Sequence, residues 1–169
     1  MNYSIVIFPQ KHIQDFINSY RKRYDPQYNL IPPHIKLKGK FVYKEEKLED
    51  IVKGLEEIAT KTKPFTINFT KIKSFYPIIN RLFFIVENEQ PIIDLHNKIN
   101  KLFSKTTKYK YIPHLTIGQK MSEEELHDIY GSLRMKKFDL QTKIDRFHLM
   151  YELKNMSWNI YQSFVFKNF

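Results

Sequence analysis

The sequence contains no cysteine and is poor in several other residue types. Without cysteine the chain forms no disulfide, has no cysteine nucleophile and offers no thiolate to a metal. Only four of its 169 residues are glycine, and no stretch rich in glycine, serine or proline divides it. No apolar run approaches the ~20 residues that a membrane-spanning helix needs. We therefore expect one soluble, cytoplasmic domain over residues 1–169, with no membrane partner.

Acidic residues are scarce relative to basic ones. The chain has 28 Lys and Arg against 18 Asp and Glu, a formal net charge of +10. A surplus of this size favours anionic partners such as nucleotides or RNA. A lysine-rich solvated surface would give the same balance, so charge alone does not decide. Hydrophobic residues make up 42% of the chain, which is typical of a folded domain rather than a disordered one.

Two short segments look like copies of one another. Pro33–Leu37 has the sequence PHIKL and Pro113–Ile117 has the sequence PHLTI. Because residues i and i+2 of a strand point to the same face, His34 is expected beside Lys36 and His114 beside Thr116. The intervening apolar residues would then face the core. Two imidazoles, each with a neighbour that can bind phosphate, indicate paired acid–base chemistry on a phosphoryl centre.

Two further pairs of segments match in the same order along the chain. Glu45–Ile51 resembles Glu123–Ile129, and Thr70–Phe75 resembles Thr142–Phe147. One such match could be chance, but three in the same order favour an internal duplication. We place the duplicated halves at about residues 1–78 and 79–169.

Hydrophobic periodicity predicts the order β-α-β-α-β followed by β-α-β-α-β-β. The predicted fold class is α+β, with two pseudo-symmetric lobes, each with an antiparallel sheet and helices, and an active-site cleft between them. A change in the phase of alternation between Ile144 and Phe147 predicts a bulge or bend. Ser122 and Glu125 form a capping-box pattern that opens a helix. The predicted strands are Tyr3–Phe8, Ile35–Phe41, Phe65–Phe75, Leu82–Val86, His114–Gly118, Lys137–Leu153 and Trp158–Phe166, and the helices are centred on Ile13–Tyr20, Leu48–Ile58, Ile92–Leu102 and the segment after Ser122.

The paired motifs resemble those of the two-histidine (2H) phosphoesterase superfamily, which includes 2′-5′ RNA ligase-like proteins and 2′,3′-cyclic phosphodiesterases. In that family each half carries a histidine, an apolar residue, a serine or threonine, and a second apolar residue. The likeness extends over essentially the whole chain and is strongest to the YjcG-like subgroup. The segments that carry it are Arg21–Pro26, Pro32–His34, Pro113–Gln119 and Ile144–Leu149.

The resemblance implies a bilobed fold in which each lobe contributes one histidine motif to a shared groove. It implies that His34 and His114 are the catalytic pair and that Thr116 binds the phosphate. The first motif departs from the pattern, because Lys36 stands where the family has serine or threonine. A lysine can bind phosphate as a flexible point charge. A cation beside His34 should also lower the pKa of its imidazole, which favours His34 as base and His114 as acid without deciding the assignment.

The expected activity is that of a metal-independent phosphoesterase. Opening a cyclic phosphate requires one proton to leave water and another to reach a ribose oxygen, and histidine titrates in the range that suits both. The sequence shows no HExxH motif and no carboxylate–histidine cluster, so we expect no metal and no other cofactor. Weaker candidates for substrate contact are Tyr111, Lys38 and His148.

Two other interpretations stay open. Lys36 and the positive charge would also suit a catalytically inactive module that binds RNA or nucleotides. The same histidine pair could run the reverse reaction as an RNA-ligase-type phosphotransferase. The basic–aromatic segment Tyr20–Tyr24 fits single-strand binding, but a helix end that carries cations explains it more simply. No obligatory protein partner is evident.

Overall fold

A computed structural model describes residues 1–104 and 109–169 of the chain. The described part contains nine strands, four α-helices and one short 3₁₀ helix, Glu45–Lys47. The strands are β1 (Asn2–Ile7), β2 (Ile35–Val42), β3 (Phe65–Phe69), β4 (Ile72–Ser74), β5 (Arg81–Ile85), β6 (His114–Gln119), β7 (Leu140–Ile144), β8 (Arg146–Glu152) and β9 (Trp158–Val165). The α-helices are α1 (Lys11–Tyr24), α2 (Leu48–Thr60), α3 (Gln90–Leu102) and α4 (Glu123–Leu133).

The strands form three sheets, and all described pairings are antiparallel. A four-stranded sheet has the order β2-β1-β8-β9, a three-stranded sheet has the order β4-β5-β6, and β3 pairs with β7. Each sheet takes strands from both halves of the chain. The lobes therefore do not coincide with the halves, and the boundary of the duplicated unit near residue 78 stays a prediction.

The helices cross between the lobes. Helix α1 follows β1 but packs against β6, whereas α3 follows β5 but packs against β2. As a result, β2 and β6 each pack against the helix that precedes the other strand in the chain. The α+β, two-lobed architecture predicted from the sequence is confirmed.

The two histidine-bearing strands bury the residues that the alternation assigned to the core. Ile35 and Leu37 on β2 are at most 1% exposed, as are Leu115 and Ile117 on β6. Burial of each of these four aliphatic side chains stabilises the fold by about 1.5–3 kcal/mol relative to leaving it exposed to water. This anchoring holds the opposite face of each strand, which carries the histidine motif, toward the space between the lobes.

Two long predicted strands are each divided in the structure. Phe65–Phe75 is interrupted after Phe69, and Lys137–Leu153 is shorter and breaks at Asp145. The second break lies where the phase of alternation predicted a bend, and it lets β7 pair with β3 while β8 joins the four-stranded sheet. The predicted cap of α4 is confirmed, because the Ser122 hydroxyl accepts a hydrogen bond from the Glu125 amide at 3.1 Å.

Glycine at position 118 allows α1 to approach β6 closely. A Cβ atom added to Gly118 would lie 2.5 Å from the Met121 Cε and 3.0 Å from the Tyr24 Cβ. The end of α1 therefore rests almost on the backbone of β6, which brings Arg21 and Asp25 close to the second histidine motif. Among the residues described, no helix is long and apolar enough to cross a bilayer.

Candidate active site

His34 and His114 line the same cavity between the lobes. The cavity has a volume of about 140 Å³ and is also lined by Lys36, Thr116 and Arg81. His34 immediately precedes β2 of the four-stranded sheet, and His114 opens β6 of the three-stranded sheet. Two motifs separated by about 80 positions in the sequence thus present their imidazoles to one space.

The two imidazoles are held in the same way. The Nδ1 of His34 lies 2.8 Å from the Pro32 carbonyl oxygen, and the Nδ1 of His114 lies 2.7 Å from the Ile112 carbonyl oxygen. Because a carbonyl oxygen only accepts, each Nδ1 must carry the proton and donate it. The Nε2 of each neutral ring is therefore the nitrogen left to accept a proton, and in the charged ring it is the one that can donate.

The surroundings of both rings disfavour the imidazolium form. Burial lowers the pKa of His34 to about 4, and the positive charges of Lys36 and Arg21 act in the same direction. Burial also lowers the pKa of His114, with Arg81 and Lys36 adding to the effect. The effect that the sequence assigned to Lys36 is present, but loss of hydration is the larger cause.

Lys36 lies on β2, two residues after His34, and Thr116 lies on β6, two residues after His114. Both residues line this cavity. Burial lowers the pKa of Lys36, Arg81 lowers it further, and Asp25 opposes the shift. Lys36 and Arg81 thus line the cavity beside the Thr116 hydroxyl, and two further basic residues, Arg21 and Lys120, also contribute to its lining. Such donors can neutralise the charge on non-bridging phosphate oxygens.

The sequence reasoning missed Arg81. This residue opens β5 opposite Gln119 of β6, and its guanidinium donates to the Gln119 side-chain oxygen at 3.0 Å. The Arg81 Nε is buried and has no hydrogen-bond partner within the described residues. Only the register of β5 against β6 brings Arg81 to the cavity, so no local motif could have identified it.

A buried ion pair supports this cavity from the α1 side. Arg21 and Asp25 have side chains that are each 2% exposed, with 3.1 Å between Nε and Oδ2. Arg21 also donates to the carbonyl oxygens of Gln27 and Ile31, and Asp25 accepts from the Gln119 side chain. The pair ties the loop before His34 to β6. Arg21 is thus an internal anchor and does not belong to an exposed basic–aromatic surface. Lys22 and Arg23 remain exposed in the last turn of α1, as expected for a helix end that carries cations.

The three weaker candidates lie in two different places. Tyr111 and Lys38 line a second groove that shares Lys36 and His114 with the histidine cavity. His148 is only 7% exposed, its Nδ1 lies 2.8 Å from the Ser163 hydroxyl oxygen, and it does not line the histidine cavity. The structure therefore gives no support to a substrate contact by His148, because the central position of β8 buries its ring against Phe8.

Comparisons with known proteins agree with this architecture. The family model of the 2′-5′ RNA ligase superfamily matches residues 9–155. A Bacillus cytotoxicus protein named "putative phosphoesterase" is 50% identical over 97% of this chain and 96% of its own length. An Oceanobacillus iheyensis protein of the same description is 46% identical over 98% of both chains.

Solved structures share the fold at low sequence identity. Escherichia coli LigT, crystallised with 3′-AMP, superposes with a TM-score of 0.73 at 14% identity and covers 99% of this chain and 98% of its own. A Thermus thermophilus protein, TT0787, gives a TM-score of 0.73 at 14% identity over 99% of both chains. With a family model over most of the chain and relatives near 50% identity, this protein belongs to the 2′-5′ RNA ligase superfamily, as one of its phosphoesterase-type members.

Proposed function

We propose that this protein is a metal-independent phosphoesterase that hydrolyses a cyclic phosphate or a 2′-5′ phosphodiester in RNA or a small nucleotide. The observation that carries the proposal is the cavity that His34 and His114 share with Thr116, Lys36 and Arg81. LigT, which has this fold, has been crystallised with nucleotides, which supports a nucleotide as substrate. The cytoplasmic location remains a prediction from the sequence.

In the proposed reaction on a 2′,3′-cyclic phosphate, water attacks phosphorus and one ribose P–O bond breaks. One imidazole removes a proton from the attacking water through its Nε2, while the other imidazole, charged, donates a proton to the departing ribose oxygen. Thr116, Lys36 and Arg81 hold the non-bridging oxygens. The first ring then releases its extra proton to solvent and the second ring takes up a proton from solvent, so the pair returns to its starting state.

The assignment of His34 as base and His114 as acid is supported by the charges in the cavity. With a pKa of about 4, His34 is neutral near pH 7 and can accept a proton at once. His114 must be charged to act as acid, and a bound phosphate anion favours that charge. Both roles, base and acid, are filled by residues of this chain, and the proposed reaction includes no step at a metal ion.

A turnover screen tests the proposal directly. Purified protein is offered 2′,3′-cyclic mononucleotides, ADP-ribose cyclic phosphate and 2′-5′-linked oligonucleotides, and the products are separated by chromatography. We expect one class to be opened to a phosphomonoester or cleaved to shorter products, and the variant His34→Ala/His114→Ala to be inactive on it. Joined products in place of cleaved ones would show the reverse, ligase-type reaction. Tight binding of every substrate with no turnover would instead support the inactive binding module, for which Lys36 is the motivating residue.

The pH dependence of kcat/KM should reveal the role of Lys36. A neutral base with a pKa of about 4 and an acid whose pKa lies below 6.5 give a bell-shaped profile with a weakly acidic maximum, falling tenfold per pH unit on its alkaline side. Lys36 lowers the pKa of both imidazoles, so Lys36→Thr should move both limbs to higher pH. Lys36→Arg retains the charge and serves as the control. The two limbs of its pH profile should lie near those of the wild type. A profile unchanged by Lys36→Thr would contradict this role.

A further inference from the structure

The side chain of Gln119 connects the histidine cavity to the buried ion pair at the end of α1. Its amide nitrogen donates to the Asp25 Oδ1 at 2.9 Å, and its amide oxygen accepts from the Arg81 Nη2 at 3.0 Å. Gln119 is the last residue of β6 and lies directly opposite Arg81 of β5. One amide group therefore joins the end of α1 to the first residue of β5.

The two neighbours of this amide allow it only one orientation. A guanidinium can only donate a hydrogen bond, and a carboxylate oxygen accepts one. The Gln119 oxygen must therefore face Arg81, and its nitrogen must face Asp25. A half turn of the amide would set its NH₂ group against the guanidinium and its oxygen against the carboxylate, and both hydrogen bonds would be lost. The contact thus presents a fixed acceptor to Arg81.

The Asp25 carboxylate is a rigid anchor for this amide. Its Oδ2 lies 3.1 Å from the Arg21 Nε, and both side chains are 2% exposed. Its Oδ1 also accepts from the backbone amide of Gln27 at 2.9 Å. Arg21 is held in turn by the Ile31 carbonyl oxygen at 2.7 Å. Because every member of this network is buried or bonded to the backbone, its far end at Gln119 has little freedom to move.

Arg81 has more hydrogen-bond donors than the protein satisfies. A guanidinium carries five N–H donors, and Gln119 is the one acceptor for them within residues 1–104 and 109–169. Arg81 also lines the histidine cavity. The remaining donors are therefore available to an anion that enters the cavity, provided that the long side chain stays in place.

Electrostatic repulsion makes that placement unfavourable without a tether. Lys36 and Arg81 line the same cavity, and the positive charge of Arg81 lowers the pKa of Lys36. Two cations this close repel one another, and a flexible Arg81 would turn away from Lys36 until a phosphate arrived. The hydrogen bond to Gln119 opposes this movement, so less side-chain entropy is lost when a ligand binds.

We propose that Gln119 is a positioning residue, which holds the Arg81 guanidinium in the cavity for a phosphate oxygen and transmits to it the rigidity of the Arg21–Asp25 pair. Gln119 acts through Arg81 and not on the phosphate. The proposal rests on the proposed function for the identity of the ligand as a phosphate. It assigns a role in the site to a network that otherwise serves only to stabilise the fold.

A double-mutant cycle on phosphate binding tests this role. Isothermal titration calorimetry measures the Kd of inorganic phosphate for the full chain, for Gln119→Met, for Arg81→Ala and for the double variant. We expect Gln119→Met to raise the Kd ~10-fold and Arg81→Ala to raise it further, because the charged donor itself is then lost. In the Arg81→Ala background, Gln119→Met should change the Kd by less than ~2-fold, since no guanidinium remains to be positioned. Equal effects of Gln119→Met in both backgrounds would overturn the proposal.

Two further variants separate positioning from a general distortion of the cavity. Gln119→Asn keeps the amide but is one methylene shorter, so it cannot contact Asp25 and Arg81 together and should weaken phosphate binding as Gln119→Met does. Gln162→Met removes a glutamine on β9 whose amide donates to Glu56 at 3.0 Å, outside the cavity. Its Kd for phosphate should equal that of the wild type. Wild-type affinity in Gln119→Asn would contradict the proposal.

Chemical rescue gives a readout that a merely structural role would not change. Added guanidinium, at a concentration that does not unfold the protein, should restore part of the phosphate affinity of Arg81→Ala, with equal sodium chloride as the control. The same addition should fail in the double variant, because the acceptor that holds the guanidinium is absent. Equal rescue of both variants would overturn the role of Gln119.

The two proposals fail in different ways. Coupled effects of Gln119 and Arg81 on phosphate binding, in a protein that opens no cyclic phosphate, would retain the positioning role and refute the proposed function. Turnover of a cyclic phosphate with independent effects of the two residues would retain the proposed function and refute the positioning role. Absence of phosphate binding by the wild type would also refute the positioning role.

Discussion

The single variants His34→Ala and His114→Ala should each lose most of the turnover. We expect kcat to fall by about 10²–10⁴-fold in each, because one proton transfer is lost. Both rings line one cavity, and the proposed reaction needs one of them as base and the other as acid, so neither can substitute for the other. The double variant should be little slower than the worse single variant, because residues that act as a pair are not additive. Steady-state kinetics on the substrate found in the screen measure this effect.

The control for this experiment is a histidine outside the cavity. His127 lies on α4, and its side chain is 53% exposed. Its Nε2 is 3.5 Å from the Glu123 Oε1. His127→Ala should retain wild-type kcat and KM. Near wild-type unfolding free energies for the two alanine variants would show that they remain folded. Full activity in either His34→Ala or His114→Ala would refute the proposed mechanism.

Arg21→Met should destabilise the protein by about 3–5 kcal/mol, because it leaves the buried Asp25 carboxylate without its cation. Both side chains are 2% exposed, so water cannot replace the lost partner. The variant also removes the donors that serve the Gln27 and Ile31 carbonyl oxygens. Since folded domains are stable by only ~5–15 kcal/mol, this single change should remove a large part of the total. Urea unfolding followed by circular dichroism measures it.

The chain provides a matched control and a second variant for this experiment. Lys53 and Glu49 form an exposed pair on α2 with the same i,i+4 spacing, and Lys53→Met should change the stability by less than ~1 kcal/mol. Arg21→Met combined with Asp25→Asn should cost less than the two single changes added together, since no unpaired charge remains. A loss below ~1 kcal/mol for Arg21→Met alone would contradict the structural role of the pair.

Local patterns in the sequence predicted much of the fold. Alternating residues place Ile35 and Leu37 inside and His34 and Lys36 on the other face, because strand geometry has a period of two wherever it occurs. The cap at Ser122 and the break at Asp145 were predicted for equally local reasons. The α+β class and the two lobes followed from the order of such elements and from the repeated motifs.

Contacts between distant segments required the tertiary structure. No periodicity shows that α1 packs on the opposite lobe, that Arg81 lies beside Gln119, or that Arg21 is buried while Lys22 and Arg23 remain exposed. These facts depend on which strand edges pair and in which register. His148 illustrates the same limit, since its alternation was predicted correctly but its burial depends on Ser163 of β9 and on Phe8.

The sequence by itself determined the two histidine motifs, the hydroxyl of Thr116 in one and the ammonium of Lys36 in the other. These are properties of residue identity and of strand periodicity, which the chain carries without folding. The tertiary structure decided that both imidazoles share one cavity, that Arg81 joins them, and that an aromatic, lysine-lined groove opens beside it. Those properties arise when the pairing of β5 with β6 and the exchange of helices between lobes bring together side chains far apart in the chain.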